Sequence, residues 1–164
     1  MLETGRKFPS FTLPDARGAK ARLKDFVGSW AVIYFYSKIS TSGCSLEAHE
    51  FDALLPEFEK LGTAVAGVSP DTPGALCKAA DKNSYALRLL SDPEHKLLEA
   101  AGVWQKKMLY GKEHMGVVRT TALVDPSGKV RKLWSKVKPQ GHAQAVLEAL
   151  KEALEKAPGE TGTP

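Results

Sequence analysis

Hydrophobic positions along the chain alternate between two kinds of pattern, one typical of buried strands and one of amphipathic helices. Continuous apolar runs at 30–36 and 63–69 are short and rich in aromatic or β-branched residues, as expected of strands covered on both faces. Helically spaced apolar residues follow the first run over 45–62. After the second run, Asp71-Thr72-Pro73 has the pattern of a helix cap with proline at the first helical position, and predicts a helix from there to about Lys82. The first half of the core is therefore predicted to be strand, helix, strand, helix.

The remaining pattern completes a layered domain. It predicts an N-terminal hairpin over 11–23, a strand over 86–92, a short helix over 93–101, a hairpin of strands 117–125 and 129–134, and a closing helix over 142–156. This order indicates an α/β fold with a thioredoxin-like layout, in which helices flank a mixed central sheet behind an N-terminal β-hairpin extension. We expect one domain over 1–156 and a flexible C-terminal tail over 157–164.

Composition narrows the class of protein. The chain has 164 residues, of which 43% are hydrophobic and 26% charged, as is usual for a soluble globular domain. No apolar run approaches the roughly 18 residues of a membrane span, and the N-terminal segment lacks the apolar stretch of a secretory signal. We therefore expect a cytoplasmic protein with no membrane partner.

The net charge of +4 does not by itself indicate a class of binding partner. The most basic segment, residues 129–138, contains one aromatic residue and no nucleic-acid-binding motif, so no nucleic-acid partner is expected.

Cys44 lies where a predicted strand is followed by a helix, a position that favours a reactive thiolate. Free backbone N–H groups and the positive end of the helix dipole both stabilise negative charge there. Thr41, three residues earlier, has a hydroxyl suited to hydrogen-bonding the sulfur. The alternative is that Cys44 is a small buried hydrophobic residue, as many free cysteines are.

Arg119 is the candidate partner for such a sulfur. A thiolate with a lowered pKa is also a poorer nucleophile, so fast chemistry needs donors aimed at the reacting oxygens, and arginine offers several. Arg119 falls within the apolar segment 117–125, where an unpaired charge would be unfavourable. We expect it to pair with an acid such as Glu47, or to face an anion at the site. The alternative is a solvent-exposed arginine at a strand edge.

Four separated segments resemble the peroxiredoxins, and most closely their bacterioferritin-comigratory, or Q-type, branch. In order they are GRKFPSFTLPDARG, YFYSKISTSGCSLEA, GVSPD and GVWQKKMLYGKEHMGVVRTTALVDPSGKV. The resemblance extends from about Gly5 to Leu150, nearly the whole chain. The reactive motif of the family is Pro-x-x-x-Thr/Ser-x-x-Cys. By this resemblance Cys44 is the peroxidatic cysteine, Thr41 the hydroxyl that bonds the peroxide, Arg119 the activating arginine and Glu47 the acid that holds it.

The chain departs from the family pattern at several positions. Ser37 replaces the motif proline, which in the family shields the sulfur and limits overoxidation, so we expect a looser or more polar pocket and reduced activity. His49 stands where many members carry the resolving cysteine. Cys77 lies about one helical turn from a place where other members carry it. We expect Cys77 to resolve the oxidised Cys44 as an intramolecular disulfide; the alternative is a bystander in a single-cysteine enzyme.

The resemblance implies a thiol-dependent peroxidase that reduces hydrogen peroxide and small organic hydroperoxides through a sulfenic acid at Cys44. It further implies recycling by a thioredoxin-type dithiol, a monomeric state and no cofactor. The four histidines are scattered singly, without the spacing of metal ligands, so no metal is expected.

Two other functions fit the same fold. A thiol–disulfide oxidoreductase would need a Cys-x-x-Cys pair, but residues 44–47 are Cys-Ser-Leu-Glu. A non-catalytic redox-sensing or binding module predicts very slow consumption of peroxide.

Overall fold

The computed structural model of the chain describes residues 1–156, apart from the side chain of Leu109. The strands are β1 (Thr12–Pro14), β2 (Lys20–Arg22), β3 (Trp30–Phe35), β4 (Thr63–Ser69), β5 (Arg88–Ser91), β6 (Trp104–Leu109), β7 (Lys112–Val117), β8 (Thr120–Val124) and β9 (Val130–Ser135). The helices are α1 (Ser42–Lys60), α2 (Pro73–Asn83), α3 (Lys96–Ala100) and α4 (His142–Lys156). The predicted tail 157–164 lies outside the described residues.

A mixed sheet of five strands forms the centre of the fold, in the order β5–β4–β3–β8–β9. Strand β3 is parallel to β4 and antiparallel to β8, and all six of its residues are buried. Successive side chains of a strand point to opposite faces, so β3 contributes to two cores. Val32 and Tyr34 pack in the core that includes α1 and α4, while Ile33 and Phe35 pack in the core that includes α3. The predicted α/β, thioredoxin-like layout is confirmed.

Gly67 shows how closely this sheet is packed. It pairs with Tyr34 across β3 and β4, and a Cβ atom at position 67 would lie 2.7 Å from the Tyr34 ring. The same ring stacks on Phe51 of α1, with ring centroids 4.6 Å apart. A glycine at this position therefore leaves room for the aromatic contact that joins α1 to the sheet.

Several elements have the bounds that were predicted for them, whereas α1 begins earlier than predicted. Strand β4 and helix α4 span the predicted residues, and Thr72 caps α2 by accepting a hydrogen bond from the Ala75 N–H at 3.2 Å. Helix α1 begins at Ser42, three residues before its predicted start, and it continues through Pro56. The first turn of α1 is mostly polar, so the spacing of apolar residues did not indicate that the helix begins there. Cys44 is consequently inside the helix.

The segment 102–119 differs most from the prediction. Strands β6 and β7 form a separate antiparallel hairpin that was not predicted, because most of its side chains are exposed and show no apolar alternation. The predicted strand 117–125 is in fact divided, with Val117 ending β7 and Thr120 beginning β8. Arg119 lies in the two-residue connection between them, and this corrects its predicted place within a strand. No helix in the described part of the chain is long and apolar enough to span a membrane.

Candidate active site

The candidate site lies at the carboxyl end of β3, where the chain enters α1. Thr41 is the N-cap residue of α1 with extended backbone angles, and Cys44 is the third residue of the helix. The N–H groups of a helix's first turn have no acceptor within the helix, and together with the dipole they stabilise negative charge. Cys44 is 0% exposed. Its sulfur is thus held in an electropositive, water-poor environment.

Arg119 contacts this sulfur from the connection between β7 and β8. Thr120 pairs with Phe35, the last residue of β3, and this register places the neighbouring Arg119 beside the start of α1. Its Nη2 lies 3.1 Å from the Cys44 Sγ atom. Its Nη1 donates to Glu47 Oε1 at 2.5 Å. Cys44 and Glu47 are three positions apart and so share a helix face. The structure therefore brings together these three residues that the sequence analysis singled out.

The ion pair between Glu47 and Arg119 is shielded from water. Glu47 is fully buried, and burial raises the pKa of its carboxyl to about 7, although Arg119 opposes the rise. Burial also acts to lower the pKa of Arg119, but Glu47 and Cys44 outweigh it, so that this pKa is raised. Arg119 accordingly keeps its charge throughout the physiological range. Within residues 1–156, Glu47 Oε2 has no hydrogen-bond partner.

The pKa of Cys44 is lowered as the net result of opposing effects. Burial raises it, but hydrogen bonding from Thr41, from the Lys38 backbone and from Ser37, together with the charge of Arg119, outweighs burial. The Ser37 Oγ atom lies 3.6 Å from the sulfur. The Thr41 hydroxyl donates to the Lys38 carbonyl oxygen at 2.8 Å, and by rotating it would donate to a thiolate instead.

Cys77 is not part of this arrangement. Its Sγ atom accepts a hydrogen bond from Arg17 Nη1 at 3.4 Å and lies 3.8 Å from Asp81 Oδ2. Other residues of α2, among them Ala75 and Ala79, line the groove that separates this helix from the start of α1. Both cysteines are free thiols. The structure therefore places Cys77 against the β1–β2 connection, on a different side of α2.

Two polar residues that support the site escaped the sequence analysis. The Asp71 carboxylate accepts a hydrogen bond from the Ile39 N–H at 2.9 Å. The His142 Nε2 atom lies 2.7 Å from Thr121 Oγ1, and burial, helped by the charge of Arg119, lowers the pKa of His142 to about 4. These partners are 32 and 21 positions apart, so no local spacing could reveal them. The single sequence feature that pointed to Asp71 was its place in the GVSPD segment, one of the four segments that resemble the family.

A metal centre finds no support among residues 1–156. No group of three or more His, Cys, Asp or Glu side chains in that range is arranged to hold an ion.

Comparison with known proteins gives a family match and relatives that agree with one another. Residues 4–133 match the AhpC/TSA family. The chain is 40% identical to peroxiredoxin Bcp of Bacillus subtilis over 155 residues, which cover 94% of this chain and 99% of that protein. It is 37% identical to peroxiredoxin Bcp of Escherichia coli over 151 residues, covering 92% and 97%.

Solved structures agree with these relatives. The bacterioferritin comigratory protein of Xanthomonas campestris, described through trapped intermediate and ligand complexes bearing on its alkyl peroxide reduction activity, superposes with a TM-score of 0.85 at 41% identity, covering 93% of this chain and 98% of that one. A cysteine-to-serine mutant of Xylella fastidiosa PrxQ gives a TM-score of 0.89 at 32% identity, with the same coverage.

Proposed function

The chain belongs to the AhpC/TSA family and is a peroxiredoxin, a thiol peroxidase, and we propose that Cys44 is the cysteine that attacks the peroxide. The observation that carries this proposal is the contact between Arg119 and the sulfur. Cys44 occupies the first turn of α1, and the guanidinium lies 3.1 Å from its Sγ atom. A lowered pKa at Cys44 supports a thiolate, which is the nucleophilic form.

The proposed step is a two-electron oxidation of sulfur. The Cys44 thiolate attacks the terminal oxygen of the peroxide, a sulfur–oxygen bond forms and the oxygen–oxygen bond breaks. The leaving oxygen departs as hydroxide or alkoxide and takes up a proton to give water or an alcohol. Cys44 becomes a sulfenic acid. Because the peroxide supplies the oxidising power, the step requires no prosthetic group.

Arg119, Thr41 and the first-turn N–H groups act on the charge that moves during this step. Negative charge passes from sulfur to the leaving oxygen, and donors fixed in a dry site stabilise it without reorganising. Glu47 acts by holding Arg119 through the other arm of the guanidinium. Since Cys44 is fully buried, approach of the peroxide requires a side chain next to the sulfur to move.

Cys77 is proposed as the resolving cysteine. Its thiol would condense with the sulfenic acid to form a disulfide and release water, and a thioredoxin-type dithiol would then reduce the disulfide. Support comes from the resemblance to the Q-type branch and from the position of Cys77 on α2, the helix across the groove from the start of α1.

The same resemblance supports hydrogen peroxide and small alkyl hydroperoxides as substrates, and a monomer as the working unit. A cytoplasmic location is proposed as well, because two cysteines are too few for the disulfide framework of a small secreted domain.

The test is the intact mass of the fully reduced protein after one equivalent of hydrogen peroxide, followed by peptide mapping. We expect a loss of two hydrogens that maps to a bond between Cys44 and Cys77. The matched controls are Cys77→Ser, which should stop at an added oxygen on Cys44, and Cys44→Ser, which should not react.

Other outcomes separate the alternatives. Oxygen added to Cys44 alone in the wild-type protein would keep the peroxidase and make Cys77 a bystander. No rapid change at Cys44 would overturn its assignment as the nucleophile and favour a redox-sensing module.

A further inference from the structure

Asp71 connects two segments that are distant in the sequence. It lies between the end of β4 and the start of α2, and its Oδ2 atom accepts hydrogen bonds from the Ile39 N–H at 2.9 Å and from the Ser69 hydroxyl at 2.8 Å. Its own carbonyl accepts a hydrogen bond from the Ser91 hydroxyl at 2.5 Å. Ser69 and Ser91 are fully buried at the ends of β4 and β5. Asp71 is thus anchored to the sheet on one side and holds Ile39 on the other.

The residue that Asp71 holds is the centre of a tight turn. The Lys38 carbonyl oxygen accepts from both the N–H and the hydroxyl of Thr41, at 3.1 Å and 2.8 Å. The Ile39 side chain is 5% exposed and packs in the core that includes α1. The turn from Lys38 to Thr41 is therefore fixed at three points, namely its own closing bonds, the Ile39 side chain and the Asp71 carboxylate.

This turn leads directly into the helix that carries the sulfur, because Thr41 is the N-cap residue of α1 and Cys44 is the third residue of the helix. The Thr41 hydroxyl, which donates to the Lys38 carbonyl oxygen and can rotate to face a thiolate, and the Lys38 backbone also contribute most to lowering the pKa of Cys44. Hydrogen bonds to a sulfur depend on distance and direction, so a small displacement of the turn weakens them. A displacement of about 1 Å at a reactive group costs up to about a hundredfold in rate.

We propose that Asp71 is a positioning residue for Cys44, which holds the turn from Lys38 to Thr41, and with it the start of α1, in place beside the sulfur. The inference rests on the proposed role of Cys44 as the nucleophile. Asp71 acts through the turn, and the carboxylate contributes as a hydrogen-bond acceptor.

Two substitutions distinguish this role from a direct effect of charge. Asp71→Ala removes the acceptor and the charge, whereas Asp71→Asn removes the charge and keeps an acceptor oxygen. A nearby negative charge disfavours a thiolate, so a through-space effect predicts that both variants become more reactive than the wild type. Positioning predicts that the alanine variant becomes less reactive and that the asparagine variant stays close to the wild type.

The measurement is the rate of iodoacetamide alkylation between pH 5 and 9, in a Cys77→Ser background so that Cys44 is the one thiol. We expect the Asp71→Ala profile to move to higher pH, with alkylation and peroxide consumption each about tenfold slower at pH 6.5. Asp71→Asn should lie within about threefold of the parent.

Asp52→Ala is the matched control. Asp52 also accepts hydrogen bonds from two backbone N–H groups, those of Ala86 and Leu87, both at 2.8 Å. Its loss removes a comparable cross-link away from the turn, so it should lower the melting temperature and leave the alkylation profile of Cys44 unchanged.

Three results would overturn the positioning role: an unchanged profile in Asp71→Ala, an equal fall in both Asp71 variants, or an equal fall in Asp52→Ala. Alkylation reports on the environment of Cys44 whether or not the protein reduces peroxide. A wild-type protein that leaves peroxide untouched would therefore contradict the proposed function, while the alkylation series would still test Asp71.

Discussion

A sulfur removed from water is ionised near neutral pH only when donors more than offset its lost hydration. At Cys44 the offset comes from groups of different kinds, and Arg119 contributes the one full charge. Ser37 contributes from a position where, by resemblance to the family, a proline would stand. Its hydroxyl lies 3.6 Å from the Cys44 sulfur. The substitution thus adds a polar contact to the site.

We predict that Ser37→Ala raises the pKa of Cys44. Below that pKa the rate of alkylation is proportional to the thiolate fraction, so the variant should react about three- to tenfold more slowly at pH 6, whereas the rates should converge at high pH. Alkylation of Cys44 across this range, in a Cys77→Ser background, measures the effect. The exposed Ser40 of the same loop provides the control, Ser40→Ala. Identical profiles for Ser37→Ala and its parent would contradict the prediction.

Among the secondary-structure elements, α4 supports the strand that follows Arg119. His142, the first residue of α4, lies 2.7 Å from Thr121 of β8, and its ring packs edge-on against Phe51 of α1 and Trp134 of β9. The start of α4 therefore contacts β8, β9 and α1 at one place. Burial keeps the pKa of His142 at about 4, so this contact is made by a neutral ring.

We predict that His142 makes the fold less stable in acid. In the unfolded chain its pKa is about 6.5, so between pH 6.5 and 4 the unfolded state binds the extra proton and stability falls as the pH falls. Wild type should lose about 1–2 kcal/mol more than His142→Gln between pH 6.5 and 4.5. Urea unfolding at several pH values measures this difference.

The titration of Glu47 changes the stability in the opposite direction to that of His142. Its raised pKa means that the folded state binds more protons between about pH 4.5 and 7, which stabilises the fold as the pH falls. This contribution is present in both proteins and cancels in their difference. Parallel stability curves for wild type and His142→Gln would show that His142 does not titrate as predicted.

At the scale of the whole molecule, the two cysteines belong to different surroundings. Cys44 faces Arg119, whereas Cys77 faces Arg17 and Asp81. A disulfide requires the two Cα atoms to approach within about 7 Å, and the Cβ atoms must point towards each other. Formation of the proposed disulfide therefore requires α2 to turn or unwind locally. The Arg17–Asp81 pair, with N and O atoms 2.6 Å apart, opposes this movement.

We predict that Arg17→Ala accelerates disulfide formation. Removing the side chain releases both Asp81 and the Cys77 sulfur from the N-terminal hairpin, and since the pair is exposed the gain should be about two- to fivefold. The measurement is the appearance of the Cys44–Cys77 disulfide after rapid mixing with peroxide, followed by acid quenching and mass analysis.

Arg6→Ala provides the control for Arg17→Ala, because Arg6 makes an exposed pair with Glu3 away from α2. A rate for Arg17→Ala equal to or lower than that of wild type would mean that the pair does not restrain Cys77.

Local sequence determined most of the elements and one reactive position. Strand β4 is set by a continuous apolar run and helix α4 by apolar residues that recur every three to four positions, and Thr72 with Pro73 begins α2 by its own chemistry. The place of Cys44 near the junction of a buried strand and a helix follows from the same patterns, although the helix begins at Ser42 and includes Cys44. Such features depend on neighbours in the chain, and this is why they could be predicted.

Tertiary structure decided the contacts that make Cys44 distinctive. Arg119 meets the sulfur because β8 pairs with β3 in one register, although the residue itself lies outside the strand in which it was predicted. Asp71 holds Ile39 across 32 positions, and Cys77 faces Arg17 across 60. The direction in which a side chain faces depends on how whole elements pack. Periodicity in the sequence encodes which face of an element is buried, but not which residue of another element it meets there.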